Sequence, residues 1–188
     1  QSVYIFKTPH SERLKRDWKV PMADVAMATR DAPTFLPAFR RGSTRLIDGG
    51  VWANNPVLVA IAEARSLFGA SLDDVRILSL GTTTDVKTMP SSLDNGGILQ
   101  WAHTGRSILL DAPASGTHTT ACHLIGPERI HRIDSLVGAN EFKLDRADSD
   151  RLRGIAQAAS RHHTPKIEVF LDHTPPPYTP FHLDGDHR

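Results

Sequence analysis

The sequence predicts an α/β fold, a mostly parallel sheet with helices on both faces. The stretch 45–80 reads as strand, helix and strand joined by short links, the habit of parallel β-α-β units. Its helix carries a broad apolar face, and both flanking strands are apolar and β-branched. Further on, Ile130–Ile133 reads as another strand and Asp148–Arg161 as a last helix with charges on one face.

Size and composition suit such a fold. The chain has 188 residues, 39% hydrophobic and 23% charged, enough for one domain with a real core and unlike a disordered tail or a membrane bundle. A net charge of +1 argues against a strong overall field for nucleic acid or an anionic surface. The one cysteine, Cys122, cannot form an intrachain disulfide and reads as a small buried residue, since a catalytic thiol would need a base that the sequence does not reveal. No apolar run has the length of a membrane-spanning helix, and no signal peptide opens the chain. A cytoplasmic protein, at most peripheral at a membrane, is the expectation.

The elements follow in order. Val3–Phe6 reads as a buried strand, and a chain that opens on Gln1 inside a strand suggests a missing segment upstream. A polar, basic connector covers Lys7–Lys19. Pro21 opens a short helix through Ala28, which Pro33 and Pro37 end; Thr34-Phe35-Leu36 between them is an apolar loop. Arg45–Ile47 is a short strand running into Asp48-Gly49-Gly50. Asn55 offers a capping oxygen and Pro56 a first helical position for a helix over Val57–Phe68, stopped by Gly69, with Leu58, Ile61, Ala62 and Ala64 on its apolar face. Val75–Leu80 is the next strand, closed by Gly81, and a Thr- and Ser-rich loop continues to about Asn95-Gly96-Gly97. Two helices are expected at Ile98–Leu110 and Thr117–Leu124. The tail after Asp172, with Pro175-Pro176-Pro177 and Pro180, reads as extended and loosely attached.

Asp48-Gly49-Gly50 is the sharpest chemical feature. A carboxylate at the C-terminal end of a parallel strand faces the crevice where α/β proteins bind ligands. Glycines there permit positive φ and a tight turn beside a substrate. Such a tripeptide is also an ordinary turn, so its context decides.

The run Leu46-Ile47-Asp48-Gly49-Gly50-Val51-Trp52-Ala53-Asn54-Asn55-Pro56 resembles the Asp-Gly-Gly/Ala block of the patatin-like phospholipases. Ala28-Thr29-Arg30-Asp31-Ala32-Pro33-Thr34-Phe35-Leu36-Pro37 is similar to that family's Ala-Thr-x-x-Ala-Pro-Thr-x-x-Pro segment, and Ile77-Leu78-Ser79-Leu80-Gly81-Thr82 to its strand ending Ser-Leu-Gly-Thr. Arg30-Asp31 depart from the small residues common there. The resemblance covers Ala23–Thr82 most clearly. It implies a Ser-Asp dyad lipid acyl hydrolase of phospholipase A type, with Asp48 as the catalytic aspartate and a phospholipid or related acyl ester as substrate. It also implies that residues 1–172 are the C-terminal part of such a domain, with 173–188 a Pro-rich tail. The family's Gly-x-Ser-x-Gly turn and Gly-rich oxyanion loop lie in its N-terminal half, and neither occurs in this chain. A missing N-terminal segment or a partner chain would therefore supply the serine. Ser79 has only the second glycine of that turn and sits within a predicted strand, so it reads as structural. An unperturbed aspartate, with a pKa of about 3.9, is a weak base for a serine hydroxyl; geometry, partial desolvation and the dipole of the helix starting at Asn55-Pro56 are candidates to assist it.

Lys7-Thr8-Pro9-His10 is similar to patatin-like effectors of bacterial antiphage defence, which implies a cyclic dinucleotide activator, although no residue is tied to nucleotide by mechanism. The basic run Lys15–Lys19 reads either as a membrane-surface patch or, more simply, as a solvated connector. Ten histidines include His118, His123 and the pair His162-His163, but none has zinc-ligand spacing; hydrogen-bonded or exposed histidines explain them, and no metal or cofactor is expected. Three other readings stand beside the hydrolase: an inactive fragment, a lipid- or nucleotide-binding module on the same fold, and an acyltransferase.

Overall fold

Regular structure begins with helix α1, Met22–Arg30, directly after Pro21. The structure, a computed structural model, describes residues 2–33, 35–86, 90–138, 141–142 and 148–182, excluding the side chains of 92, 99–100, 102–107 and 109–110. Thr34 of the proline loop, and the side chains of Leu99, Ala102, Arg106 and Leu109 in the expected helix, lie outside that description. Residues Gln1–Asn54 with Pro175–Arg188 make one unit, and Asn55–Thr174 a second.

In the first unit, strands β1 (Phe39–Arg41) and β2 (Thr44–Leu46) form an antiparallel hairpin in which Phe39 faces Leu46, Arg40 faces Arg45 and Arg41 faces Thr44. Gly42-Ser43 forms its two-residue loop, and Gly42 has φ +59°, a conformation that the missing Cβ makes cheap. Helix α2, Gly50–Ala53, is one turn long. Val3–Phe6, expected as a strand, joins no ladder. Tyr4 is 46% exposed and instead donates its hydroxyl to Asp17, stacking edge-on against Phe6. A β-branched run becomes a strand only when its backbone finds a hydrogen-bonding partner, and among the described residues this one has none. The Pro-rich tail is better anchored than its composition suggests. Phe181 N–H donates to Pro9 C=O at 2.8 Å, and the His182 ring lies 3.1 Å from Glu12 C=O and beside Trp18.

The second unit holds the larger core. Helix α3 spans Val57–Leu67, and Gly69 at φ +66° leaves the helix as the sequence predicts. Asn55 Oδ1 accepts from Val57 N–H, while its Nδ2 donates to Ala114 C=O. Val57 and Ile61 are buried with Leu58 and Ala64 packed against them, whereas Ala62, expected on the same face, is exposed. Strand β3 is Ile77–Asp85 and runs through Gly81 rather than ending there. It pairs in parallel with β4, Ile130–Val137, with a register shift between Leu80 and Thr83. That irregularity lets the ladder resume where the sequence reads as loop.

Helix α4 runs unbroken over Ile98–Ile125, although Pro113 and the small residues after it read as a break between two helices. Pro113 lacks one donor, but the turns beyond it are held by Thr119 and Thr120 hydroxyls bonding back to Ser115 and Gly116. Burial of Ala121 and Ile125 against Val57, Ile61, Val75 and Ile130 outweighs one absent hydrogen bond. Helix α5, capped by the Asp148 carboxylate, extends over Ser149–Leu171 and past Pro165, ten residues beyond the expected end at Arg161.

The fold is therefore mixed α/β with a two-stranded parallel sheet. One expectation needs correcting: β2 is hydrogen-bonded to β1, and the parallel partner of β3 is β4, not β2. A two-residue loop allows only antiparallel pairing, so the neighbour that β2 takes on one edge is the antiparallel β1.

Candidate active site

Asp48 sits where β2 has ended and α2 begins. Its N–H donates to Asp31 C=O at 3.1 Å, tying the segment to the residue that ends α1. Its C=O accepts from Val51 N–H, and Gly49 C=O accepts from Trp52 and Ala53 N–H, so the tripeptide winds directly into a helical turn. The Asp48 carboxylate is half-buried, and its Oδ1 accepts from Gly50 N–H at 2.9 Å. The donor reaching this carboxylate among the described residues thus comes from the first residue of α2.

The glycines matter for a different reason than expected. Gly49 has φ −64° and ψ −21°, ordinary helical values, and Gly50 lies within α2. Neither is among the glycines with positive φ. What they provide is bare backbone beside the carboxylate. A Cβ on Gly50 would lie 3.4 Å from both Asp48 carboxylate oxygens and from Asn54 Oδ1, and one on Gly49 would lie 3.5 Å from Thr29 Oγ1. These are ordinary contact distances, so the two glycines put backbone rather than a side chain against the Asp48 carboxylate. Ile47, Val51 and Trp52 are each about half exposed.

Sequence reasoning missed the part played by Asp31. It is only 4% exposed, its carboxylate is 3.5 Å from Arg30 Nε, and its carbonyl fixes Asp48. A backbone acceptor leaves no trace in residue type, so only the buried carboxylate at a departure from the family pattern could have signalled it.

Ser79 lies inside β3 and is 9% exposed, with Oγ 2.9 Å from the Arg132 guanidinium. Arg132 also pairs with Asp134 at 2.6 Å. Cys122 does have an imidazole beside it, His118 Nε2 at 3.7 Å one helical turn back, while its side chain packs on the core. His131 and His163 face each other at 2.9 Å, and His162 stacks edge-on against His163. Partial burial holds the His163 pKa below its ordinary value, helped by His162, His131 and Lys166. Among the described residues, no group of three or more ligand side chains could hold a metal ion, and no helix is long and apolar enough to cross a membrane. The Lys7–Lys19 connector lines part of a cleft of about 310 Å³ with Val3, Tyr4 and Ile5.

Several known proteins are similar to this chain. A cGAMP-activated phospholipase of Vibrio cholerae is 31% identical over 170 residues, taking in 80% of this chain and 48% of the relative. A protein of the same name from Escherichia coli is 29% identical over 171 residues, with the same two shares. Patatin-like protein 2 of Arabidopsis thaliana is 36% identical over 115 residues, 48% of this chain and 28% of the relative. The chain spans about half the length of the bacterial relatives. No family model matches it, and no solved structure does. On these matches the chain is a relative of the patatin-like phospholipases, cGAMP-activated members included.

Proposed function

We propose that the whole protein is a lipid acyl hydrolase of phospholipase A type and that this chain contributes Asp48 to a Ser-Asp dyad. The carrying observation is the half-buried Asp48 carboxylate, fixed by one backbone bond from Gly50, in a chain related to phospholipases. The serine comes from a segment or partner chain outside these residues, because no Gly-x-Ser-x-Gly occurs within them. In the reaction the serine oxygen bonds to the ester carbonyl carbon while Asp48 takes the hydroxyl proton. As the carbon–oxygen ester bond breaks, that proton passes to the leaving alcohol. Water then attacks the acyl-serine carbonyl while Asp48 accepts its proton; the bond from the acyl carbon to the serine oxygen breaks, the proton returns to that oxygen and the free acid leaves. On this reading the present chain alone is inactive, residues 1–172 belong to one patatin-like domain, and its complete sheet is mostly parallel with helices on both faces. Activation by a cyclic dinucleotide fits the relatives' names, and a cytoplasmic enzyme, peripheral at the membrane, completes the reading.

The test is acyl release from phospholipid by the complete protein. Asp48→Asn keeps the shape and removes the proton acceptor, with an expected rate loss of about 10²–10⁴-fold. Ser79→Ala, which removes only an acceptor for Arg132, should retain activity. An active Asp48→Asn enzyme removes Asp48 from the mechanism; an inactive but folded Ser79→Ala enzyme identifies Ser79 as the nucleophile.

A further inference from the structure

We infer that the β1–β2 hairpin is a docking face for an anionic phospholipid surface, with Arg40 and Arg45 as its phosphate-binding pair. This deepens the lipid-hydrolase reading and rests on it. Arg40 stands directly opposite Arg45 in the hairpin register. Directly opposed side chains have Cβ atoms about 4.5–5.5 Å apart, and like charges at that spacing destabilise the ladder. Both arginines are exposed, and among the described residues neither has an ion pair. Arg41, on the other face, does have a carboxylate neighbour, Asp24 at 3.6 Å. Two arginines opposed in the register, with no ion pair among the described residues, offer guanidiniums complementary to the oxygens of a phosphodiester.

The alternation of the strands separates two environments. Arg41, Thr44 and Leu46 line a small cleft with Tyr4 and Phe6. Arg40 and Arg45 therefore point to the opposite side of the hairpin. Beyond Arg45 the chain presents Ile47, Val51 and Trp52, which are 49%, 52% and 53% exposed. They flank the carboxylate assigned to catalysis. Arginine for headgroup phosphates, with a tryptophan and aliphatic side chains for the boundary below them, is the composition of an interfacial binding face. The net charge of +1 conceals this, because it averages the hairpin with acidic segments elsewhere.

The experiment is co-sedimentation of the chain with vesicles of phosphatidylcholine alone and of phosphatidylcholine with phosphatidylglycerol, at low and high salt. The wild type should bind the anionic vesicles more tightly, and salt should weaken that binding. Arg40→Gln with Arg45→Gln should lose about fivefold per guanidinium, about 25-fold together, on anionic vesicles only. Trp52→Ala should weaken binding to both compositions. A thermal melt checks folding; removal of the opposed charges should leave the midpoint unchanged or raised. Equal binding of the double variant and wild type to anionic vesicles overturns the inference, as does wild-type binding that ignores phosphatidylglycerol. Hydrolysis of a short-chain, monomeric ester by the complete protein tests the hydrolase reading separately. The double variant should keep that activity, and its absence in the wild type would sink the enzyme assignment whatever the vesicles show.

Discussion

Replacing Gly81 with alanine tests the polar cluster that crosses the parallel sheet. An added Cβ would lie 2.7 Å from Asp134 Cγ and Oδ2 and 2.8 Å from Arg132 Nη2, closer than real contacts allow. Asp134 is short, so its Cγ cannot swing aside as a lysine tip would. Arg132 is held at both ends of its guanidinium, by Asp134 and by Ser79 Oγ at 2.9 Å. The pair is about three-quarters buried, and Asp134 Oδ1 already lies buried without a hydrogen-bond partner among the described residues. Making room for the methyl therefore disturbs the charge-assisted bonds. Overpacking typically costs about 1–3 kcal/mol, and a hydrogen bond to a charged group contributes about 1.5–3 kcal/mol. The two overlap, so a total loss of about 2–4 kcal/mol is expected. For a chain of this size each kcal/mol moves the melting midpoint by about 2–4 °C, which gives a drop of about 4–16 °C by circular dichroism. The same substitution in an Asp134→Ala background should cost much less, because the obstacle is gone. A Gly81→Ala midpoint within about 1 °C of wild type, or an undiminished cost in that background, would refute the argument.

Two further perturbations probe the second unit. Asn55→Ala removes the cap on Val57 N–H and the bond to the part-buried Ala114 carbonyl, so a loss of about 1–2 kcal/mol is expected in denaturant melts; a neutral change would mean the two bonds are not formed together. The depressed pKa of His163 makes stability pH-dependent: its contribution is full above the ordinary histidine value of about 6.5 and is lost as pH falls through that value toward the lower folded pKa, because the unfolded chain takes up the proton first. A pH series of melting curves should show that decline in the wild type and a shallower one in His163→Gln, and identical slopes would remove His163 as its source.

Much of the local structure was legible in residue types. Pro21, Asn55-Pro56 and Gly69 mark helix ends because each acts within one turn of the backbone, through a fixed φ, a side-chain acceptor or a tolerated positive φ. The Gly42-Ser43 hairpin is different, because a two-residue loop reads as a plain connector until Phe39–Arg41 is known to be its first strand. Helix lengths were less so. Pro113 and Pro165 are local breakers, and whether they break depends on what the rest of the helix buries.

For the candidate site, sequence alone marked Asp48 and its two glycines through their resemblance to a family block, and the relatives agree with that family. It did not determine why the glycines are there, since φ values and the space beside a carboxylate are properties of the folded backbone. Nor did it reveal that Asp31 lends a carbonyl to Asp48, that Arg132 occupies Ser79, or that Arg40 and Arg45 stand opposed. Each of these joins residues through a turn or a ladder, and residue order carries no distance until the chain has folded. Strand pairing was the same kind of question. The β-branched runs announced that strands would form, but the choice of β1 for β2 and β4 for β3 was made by loop length and by burial against α3 and α4, which only the tertiary structure decides.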